Sequence, residues 1–423
     1  MRKIVLATIG TLGDLHPFIA IGIALKQSGC RPVLAVPADH VERVEAAGLE
    51  AVAIFPCFDA VRQRMGLNQD AAVEMLMRDQ RNIMDEVLFP ELASSARLLD
   101  AVAQDADAIV GSIFAFAAPI VCEKRGIPLF AVVLQPMAML SPYDPPRTPD
   151  FRMLRSPPVR GAGLRWNRLI YAALRLVLQR RYGKAIDRVR AEHGLPPRGA
   201  RRLFEPGSGA ARILCCYSTT FGPLPLDAPA NARSVGFPVF DAPQAEGELD
   251  PALAEFLGAG AAPLVFTLGS FAVLAAGNFY VEAAKAARLA GRRAVLLTGN
   301  GEDGRQQGDL FITGYAPHSK LFPRAAAIVH HGGVGTTGRA LASGKPQLVV
   351  PYMGDQFDHA HRIRRMGIGR VLEPARFTAD RALPLLNILL EDGAMQREAA
   401  RIGALIAAED GAGNAARAIL DLL

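Results

Sequence analysis

Cysteines are few in this sequence, long apolar runs are missing, and one stretch of about fifty residues nearly lacks acidic side chains. Each shortage excludes something. Five cysteines, at positions 30, 57, 122, 215 and 216, form an odd set without metal-ligand spacing, which argues against both a disulfide scaffold and a zinc site. Cys215 and Cys216 fall in the apolar run Ile213–Tyr217, so we expect buried thiols and a protein of the reducing cytoplasm. The longest apolar stretch, Ala108–Cys122, is interrupted by Gly111 and Pro119 and is too short to span a bilayer. The apolar run after Lys3 ends at Ile9, which does not make a secretory leader. Aromatic residues seldom interleave with basic ones, and the chain has a single tryptophan. Nucleic acid is therefore not an expected partner.

What is present is a long, globular α/β pattern. A chain of 423 residues, half of them hydrophobic and 21% charged, is too long for one ordinary core and suggests two domains. Short apolar runs at Ile4–Thr8, Arg31–Val36, Ala108–Val110 and Leu129–Val133 alternate with helical segments, among them Pro17–Ser28 and Val41–Ala47. The rhythm restarts at Leu264–Thr267 and continues through Ala294–Thr298, Leu310–Thr313, Ala327–His330 and Gln347–Val350. Such alternation predicts parallel sheets with crossover helices. We expect two Rossmann-like, doubly wound α/β domains facing across a cleft: residues 1–225, a Pro- and Asp-rich linker at 226–250, and residues 251–403. A final helix, 404–423, is expected to return to the first domain. In such sheets ligands sit beyond the carboxyl ends of the strands.

The densest chemistry lies in His330-His331-Gly332-Gly333-Val334-Gly335-Thr336-Thr337. It follows a strand-like run and opens a helix. Small residues there let backbone N–H groups approach a ligand, and the helix start adds unpaired donors and its positive dipole end. Two imidazoles and two hydroxyls complete a set suited to a diphosphate. A glycine-rich turn alone can equally serve tight packing. Further on, Pro351-Tyr352-Met353-Gly354-Asp355-Gln356 brings a carboxylate and an amide suited to sugar hydroxyls.

Together these strings resemble the donor-binding region of GT-B glycosyltransferases of the UDP-glycosyltransferase family. The resemblance extends to Met1–Asp14, Val265–Ser270 and Tyr315–His318. It is nearest to the bacterial branch that holds the rhamnosyltransferase of rhamnolipid synthesis and the sterol and antibiotic glycosyltransferases. It implies that His331 touches the diphosphate and that Ser270 lies near it. It places Gly333, Gly335, Thr336 and Thr337 on phosphate oxygens, and Asp355 and Gln356 on the sugar. His330 either touches phosphate or packs at the strand end. Tyr315 either stacks on the nucleobase or packs in the core. His318 stands where relatives commonly have glutamine, which leaves uracil and thymine both open. Asp358 gives a D-x-x-D spacing but reads as a solvated helix-start residue. No metal or other cofactor is implied.

Transfer from such a donor requires a base for the attacking hydroxyl. Gly10-Thr11-Leu12-Gly13-Asp14 follows the first strand, and the family match gives this role to Asp14. The alternatives are that Asp14 only caps the helix, or that His16 is the base. Phe114, Phe116, Met137 and Met139 follow strands of the first domain and either line an apolar acceptor site or pack in the core. Between Phe151 and Arg202 there are 14 basic and two acidic residues, a local balance of +12 in a chain of net +6. The helical spacing of Leu164 to Arg190 there suits an anionic membrane surface or a helix covering the domain with its arginines in water. The expected function is an inverting hexosyl transfer from a UDP- or dTDP-linked sugar to a small hydrophobic alcohol. A sugar-nucleotide epimerase and a non-catalytic nucleotide-sugar-binding protein are the alternatives. Peripheral association with the inner face of the membrane would accompany a lipid acceptor.

Overall fold

The computed structural model describes residues 1–79, 81–156, 159–205, 208–240, 249–299 and 304–423. The chain forms two compact units, Met1–Phe240 with Asp410–Leu423, and Asp241–Glu409.

The first unit is built on seven strands: β1 (Lys3–Ala7), β2 (Arg31–Pro37), β3 (Glu50–Phe55), β4 (Ala108–Ser112), β5 (Leu129–Val133), β6 (Arg212–Cys215) and β7 (Ala232–Ser234). Their order is β3-β2-β1-β4-β5-β6-β7, parallel throughout. β1 and β4 contain no exposed residue, as near-continuous apolar runs in a covered parallel sheet require. The second unit repeats the plan with β8 (Leu264–Thr267), β9 (Ala294–Leu297), β10 (Arg305–Gln307), β11 (Leu310–Thr313), β12 (Ala327–His330), β13 (Gln347–Val349) and β14 (Gly369–Val371). The order is β10-β11-β9-β8-β12-β13-β14, with only β10 antiparallel among the described strands. Alternate residues serve two cores, Leu264, Phe266 and Val329 on one face and Val265, Val295 and Ile328 on the other. Chain order reverses between β1 and β4 and between β8 and β12, so each unit has a switch point at strand carboxyl ends, where doubly wound sheets place ligands.

Two expected boundaries are corrected. Residues 226–240 are not linker: they supply β7, and beyond it Phe237 packs against Phe221. Of the stretch read as linker, residues 241–248 lie outside the described ones. The first helix runs Leu12–Gln27, five residues earlier than its apolar spacing predicts. Thr11 starts it through a capping box with Asp14, and Pro17, in the second turn, lacks only the amide that would have reached Gly13. The closing helix Gly411–Leu420 packs on this first helix. Arg212 donates to the carbonyl of Ala418, and Asn414 to that of Val235. A Cβ on Gly411 would overlap the Phe237 backbone, so only glycine allows this approach. All five cysteines are free, and Cys215 and Cys216 are buried.

Candidate active site

In the second unit, β12 delivers His330 and His331 beside the end of β8, with His330 in register with Thr267. The two histidines have opposite fates. His330 is fully buried; Gly332 N–H donates to its Nδ1 (3.1 Å), and its Nε2 therefore carries the proton and donates to Gln347 Oε1 (2.9 Å). With both ring nitrogens engaged inside the fold, His330 is a packing residue and not a phosphate ligand. His331 lies in a slot between two glycines. A Cβ on Gly269 would stand 2.5 Å from its Cε1, and one on Gly333 would overlap its Nε2. The slot is the reason for glycine at both positions, and Gly269 also holds φ +67°. His331 Nδ1 is buried with no hydrogen-bond partner among the described residues, as is Thr337 Oγ1. An unsatisfied buried polar group costs about 1–3 kcal/mol, so both atoms suit a ligand that supplies partners.

The helix Val334–Ala342 begins at Gly333 without a side-chain cap. Its first-turn N–H groups therefore have no side-chain cap, an arrangement suited to an anion. Gly335 is exposed with open space beyond its Cα, and Thr336 is buried. Burial, with the neighbouring histidines, holds His331 down to about 3, and burial holds His330 down to about 4. Both are neutral at pH 7. Unfolded, they would take up protons as pH falls below about 6.5, while the folded forms resist until near 4 and 3. Stability is therefore fully present above pH 6.5 and declines as pH is lowered through that window. Urea titrations at pH 7 and 4.5 should show this loss, and His331→Ala should make it smaller; an unchanged acid loss in the variant would refute the assignment.

The strand after the turn, β13, leads to Gly354 and the helix Asp355–Arg365. Asp355 opens that helix, and burial pushes its carboxyl upward from the ordinary value against the pull of His359. Gln356 Oε1 accepts from Tyr352 N–H (2.8 Å) and Met353 N–H (3.1 Å). The expectation for Gln356 is thereby narrowed: its oxygen holds the turn, and its amide NH₂ is the group suited to a sugar oxygen. Asp358 is corrected outright, being buried and paired with buried Arg362 (2.7 Å), not solvated. His359, which sequence reasoning missed, donates from Nδ1 to the carbonyl of Gly332 (2.7 Å). Its spacing of four from Asp355 was the available signal, since i and i+4 share a helix face. Tyr315 is 62% exposed, which removes the core-packing alternative, and its ring lies 6.4 Å from that of His318. His318 stacks on Phe322 at 4.3 Å. The Ser270 side chain lies outside the described ones.

In the first unit, Asp14 is half-buried in the first helical turn, and its Oδ2 accepts from Thr11 N–H (2.9 Å). Gly10 has φ +152°, and a Cβ there would overlap the Asp14 carboxylate. His16 sits edge-on to Phe240 at 5.5 Å. Two residues apart on a helix, Asp14 and His16 do not share a face. Phe116 is buried among Phe89 and Phe204 in the core, which corrects its expected place at an acceptor surface. Phe114 is half-buried against the same core. Met137 and Met139 are half-buried on the turn Pro136–Met139, where Met139 Sδ accepts from the Cys215 thiol.

Comparison with known proteins shows the family to which the chain belongs. Residues 4–141 match the glycosyltransferase family 28 N-terminal domain, and residues 304–422 the erythromycin biosynthesis protein CIII-like C-terminal domain. The O-mycaminosyltylonolide 6-deoxyallosyltransferase of Streptomyces fradiae is 30% identical, over 98% of this chain and 96% of its own. The chain belongs to the GT-B glycosyltransferases. The enzyme, which transfers sugar, is also 30% identical to the vancomycin aglycone glucosyltransferase of Amycolatopsis orientalis, over 99% of this chain and 97% of the relative. Its fold matches that of the kitacinnamycin glycosyltransferase with a TM-score of 0.73 at 20% identity, covering 100% and 99% of the two chains. The match to glycosyltransferase VinC, solved in complex with dTDP, has a TM-score of 0.69 at 20% identity, covering 99% of the enzyme and 100% of that chain.

Proposed function

We propose that the enzyme moves a hexosyl group, with inversion, from a UDP- or dTDP-linked sugar to a hydroxyl of a small hydrophobic acceptor. The observation that carries this reading is the His331 imidazole, lodged between Gly269 and Gly333 at the start of an uncapped helix. A neutral imidazole and first-turn N–H groups stabilise a departing diphosphate where it gains charge; in this reading they act without a metal or other cofactor. Asp355 and the Gln356 amide hold sugar hydroxyls, and exposed Tyr315 stacks on the base. The acceptor oxygen bonds the anomeric carbon, the bond to the diphosphate breaks, and the hydroxyl proton passes to Asp14. Phe114, Met137 and Met139 are the acceptor-side candidates that remain. The relatives' names, an aglycone glucosyltransferase and a tylonolide-type glycosyltransferase among them, support a natural-product acceptor, and the dTDP complex of VinC supports a nucleotide-linked donor.

A screen crossing UDP-glucose, UDP-glucuronate and dTDP-rhamnose with lipid and aromatic alcohols tests this. Nucleoside diphosphate should be released only when an acceptor is present, and the product should carry the inverted anomer. Conversion of the donor without acceptor would overturn the reading in favour of an epimerase. Donor binding without turnover across the screen would favour a binding protein.

The surface of the long helix Gly161–Glu192 favours an added role, contact with anionic lipid. One side packs through Tyr171, Leu178, Tyr182, Ile186 and Val189. Leu169 and Val177 are nonetheless 59% and 56% exposed, and Trp166 and Leu176 are exposed with them. Arg175 and Arg181 are paired, with Glu205 and Asp85, whereas Arg165, Arg180, Lys184 and Arg188 are exposed with no ion pair among the described residues. No helix among the described residues is long and apolar enough to cross a membrane. Exposed apolar residues flanked by cations suit the interface of an anionic bilayer. The enzyme should sediment with phosphatidylserine vesicles at low salt and be released at high salt. Replacing Arg165, Arg180, Lys184 and Arg188 with Gln should abolish sedimentation while turnover of a soluble acceptor persists. Failure of the unaltered enzyme to sediment at low salt would exclude lipid contact.

A further inference from the structure

His40 ends the short turn Ala38–His40 after β2, is 7% exposed, and lies edge-on to Phe58. Its Nε2 stands 2.9 Å from the carbonyl oxygen of Gly10. A carbonyl can only accept, so Nε2 carries the proton and donates. The peptide that joins Gly10 to Thr11 thus has His40 on its C=O side. On its N–H side it has Asp14, since Thr11 N–H donates to Asp14 Oδ2 at 2.9 Å. His40, thirty residues from Gly10 in sequence, and Asp14, three residues from Thr11, thus flank one peptide in a hydrogen-bonded chain: imidazole, peptide, carboxylate. The conformation that permits it is unusual, with Gly10 at φ +152° and no room for a Cβ beside the carboxylate.

We propose that His40 is a positioning residue for Asp14, acting through the Gly10–Thr11 peptide; this rests on the reading of Asp14 as the base. Hydrogen bonds in a chain polarise one another in a low-dielectric site. A donor on the carbonyl strengthens the N–H on the far side of the same peptide, and it fixes the peptide plane. Both effects hold the carboxylate in one orientation. A base must lie within hydrogen-bond reach of the proton it takes, and an angular error at Asp14 would reduce the rate without changing how the donor is held.

His40→Phe keeps the ring and removes the donor, whereas His40→Gln supplies an amide N–H in place of Nε2. His40→Phe should lower kcat by roughly 10- to 100-fold, by analogy with the loss seen when a partner that orients a metal ligand is removed. Donor KM and the affinity for free nucleoside diphosphate should not change, and His40→Gln should recover most of kcat. In an Asp14→Asn background, His40→Phe should add nothing further, because the two residues act as one unit. Unchanged kcat in His40→Phe would overturn the proposal. So would parallel loss of kcat and diphosphate affinity without rescue by Gln, which marks a general structural role. If Asp14→Asn is itself nearly fully active, the reading of Asp14 fails and not merely the role of His40.

Discussion

Asp14→Asn should lower kcat by roughly 10²–10⁴-fold, the range for loss of a general base, with donor affinity nearly intact. The substitution separates chemistry from capping. Asp14 Oδ2 accepts from Thr11 N–H and closes the capping box that starts the first helix. An asparagine oxygen can still accept that bond, so the helix keeps its start while the proton acceptor is lost. Asp14→Ala removes both, because Asp14 is the N3 partner that returns a hydrogen bond to Thr11 in the capping box. The pair of variants thus divides the two roles. If Asp14→Asn turns over nearly as fast as the unaltered enzyme, the carboxylate only caps the helix, and His16 becomes the candidate base. His16, beside Phe240 and on another side of the helix, would then have to be tested in the same assay.

The second large effect is expected at His331. A hydrogen bond to a charged group contributes about 1.5–3 kcal/mol, so His331→Ala should weaken free nucleoside diphosphate by roughly 10- to 100-fold and reduce turnover with it. Calorimetry with UDP and dTDP measures the first effect directly. Gly333→Ala provides a check that leaves the imidazole in place. Its Cβ would overlap the ring, so the ring must leave its slot, and the loss should approach that of His331→Ala. Unchanged affinity in both variants would make His331 a packing residue like His330.

Much of this enzyme was legible because its signals are local. Short apolar runs alternating with helical periods specify covered parallel strands wherever the chain goes, and both sheets have them. The turn His331–Thr337 was legible for a related reason. A strand end, a run of small residues and a helix start are contiguous in sequence, so their chemistry is assembled by the backbone itself. The same holds for Asp14, three residues from the Thr11 that caps its helix.

What sequence left open were choices decided by residues far away along the chain. His330 and His331 are neighbours, but His330 is the last residue of β12 and His331 the first of the turn beyond it, so their side chains leave the backbone toward different surroundings. One meets Gln347 of β13 and the other the slot at Gly269. No pattern within the turn distinguishes them. The basic helix has helical apolar spacing, and spacing alone does not say which apolar side chains are covered; packing buries Tyr171 and Leu178 and leaves Leu169 and Val177 in water. Phe116 follows a strand as a site residue would, yet Phe89 and Phe204 enclose it. His40 has no motif at all. The sequence by itself therefore determined the two α/β units and the phosphate-suited turn, because both follow from backbone periodicity and local donors. Only the tertiary structure decided which side chains are spent inside the fold and which remain for chemistry. Burial and hydrogen-bond satisfaction depend on partners that the chain brings together only when it folds.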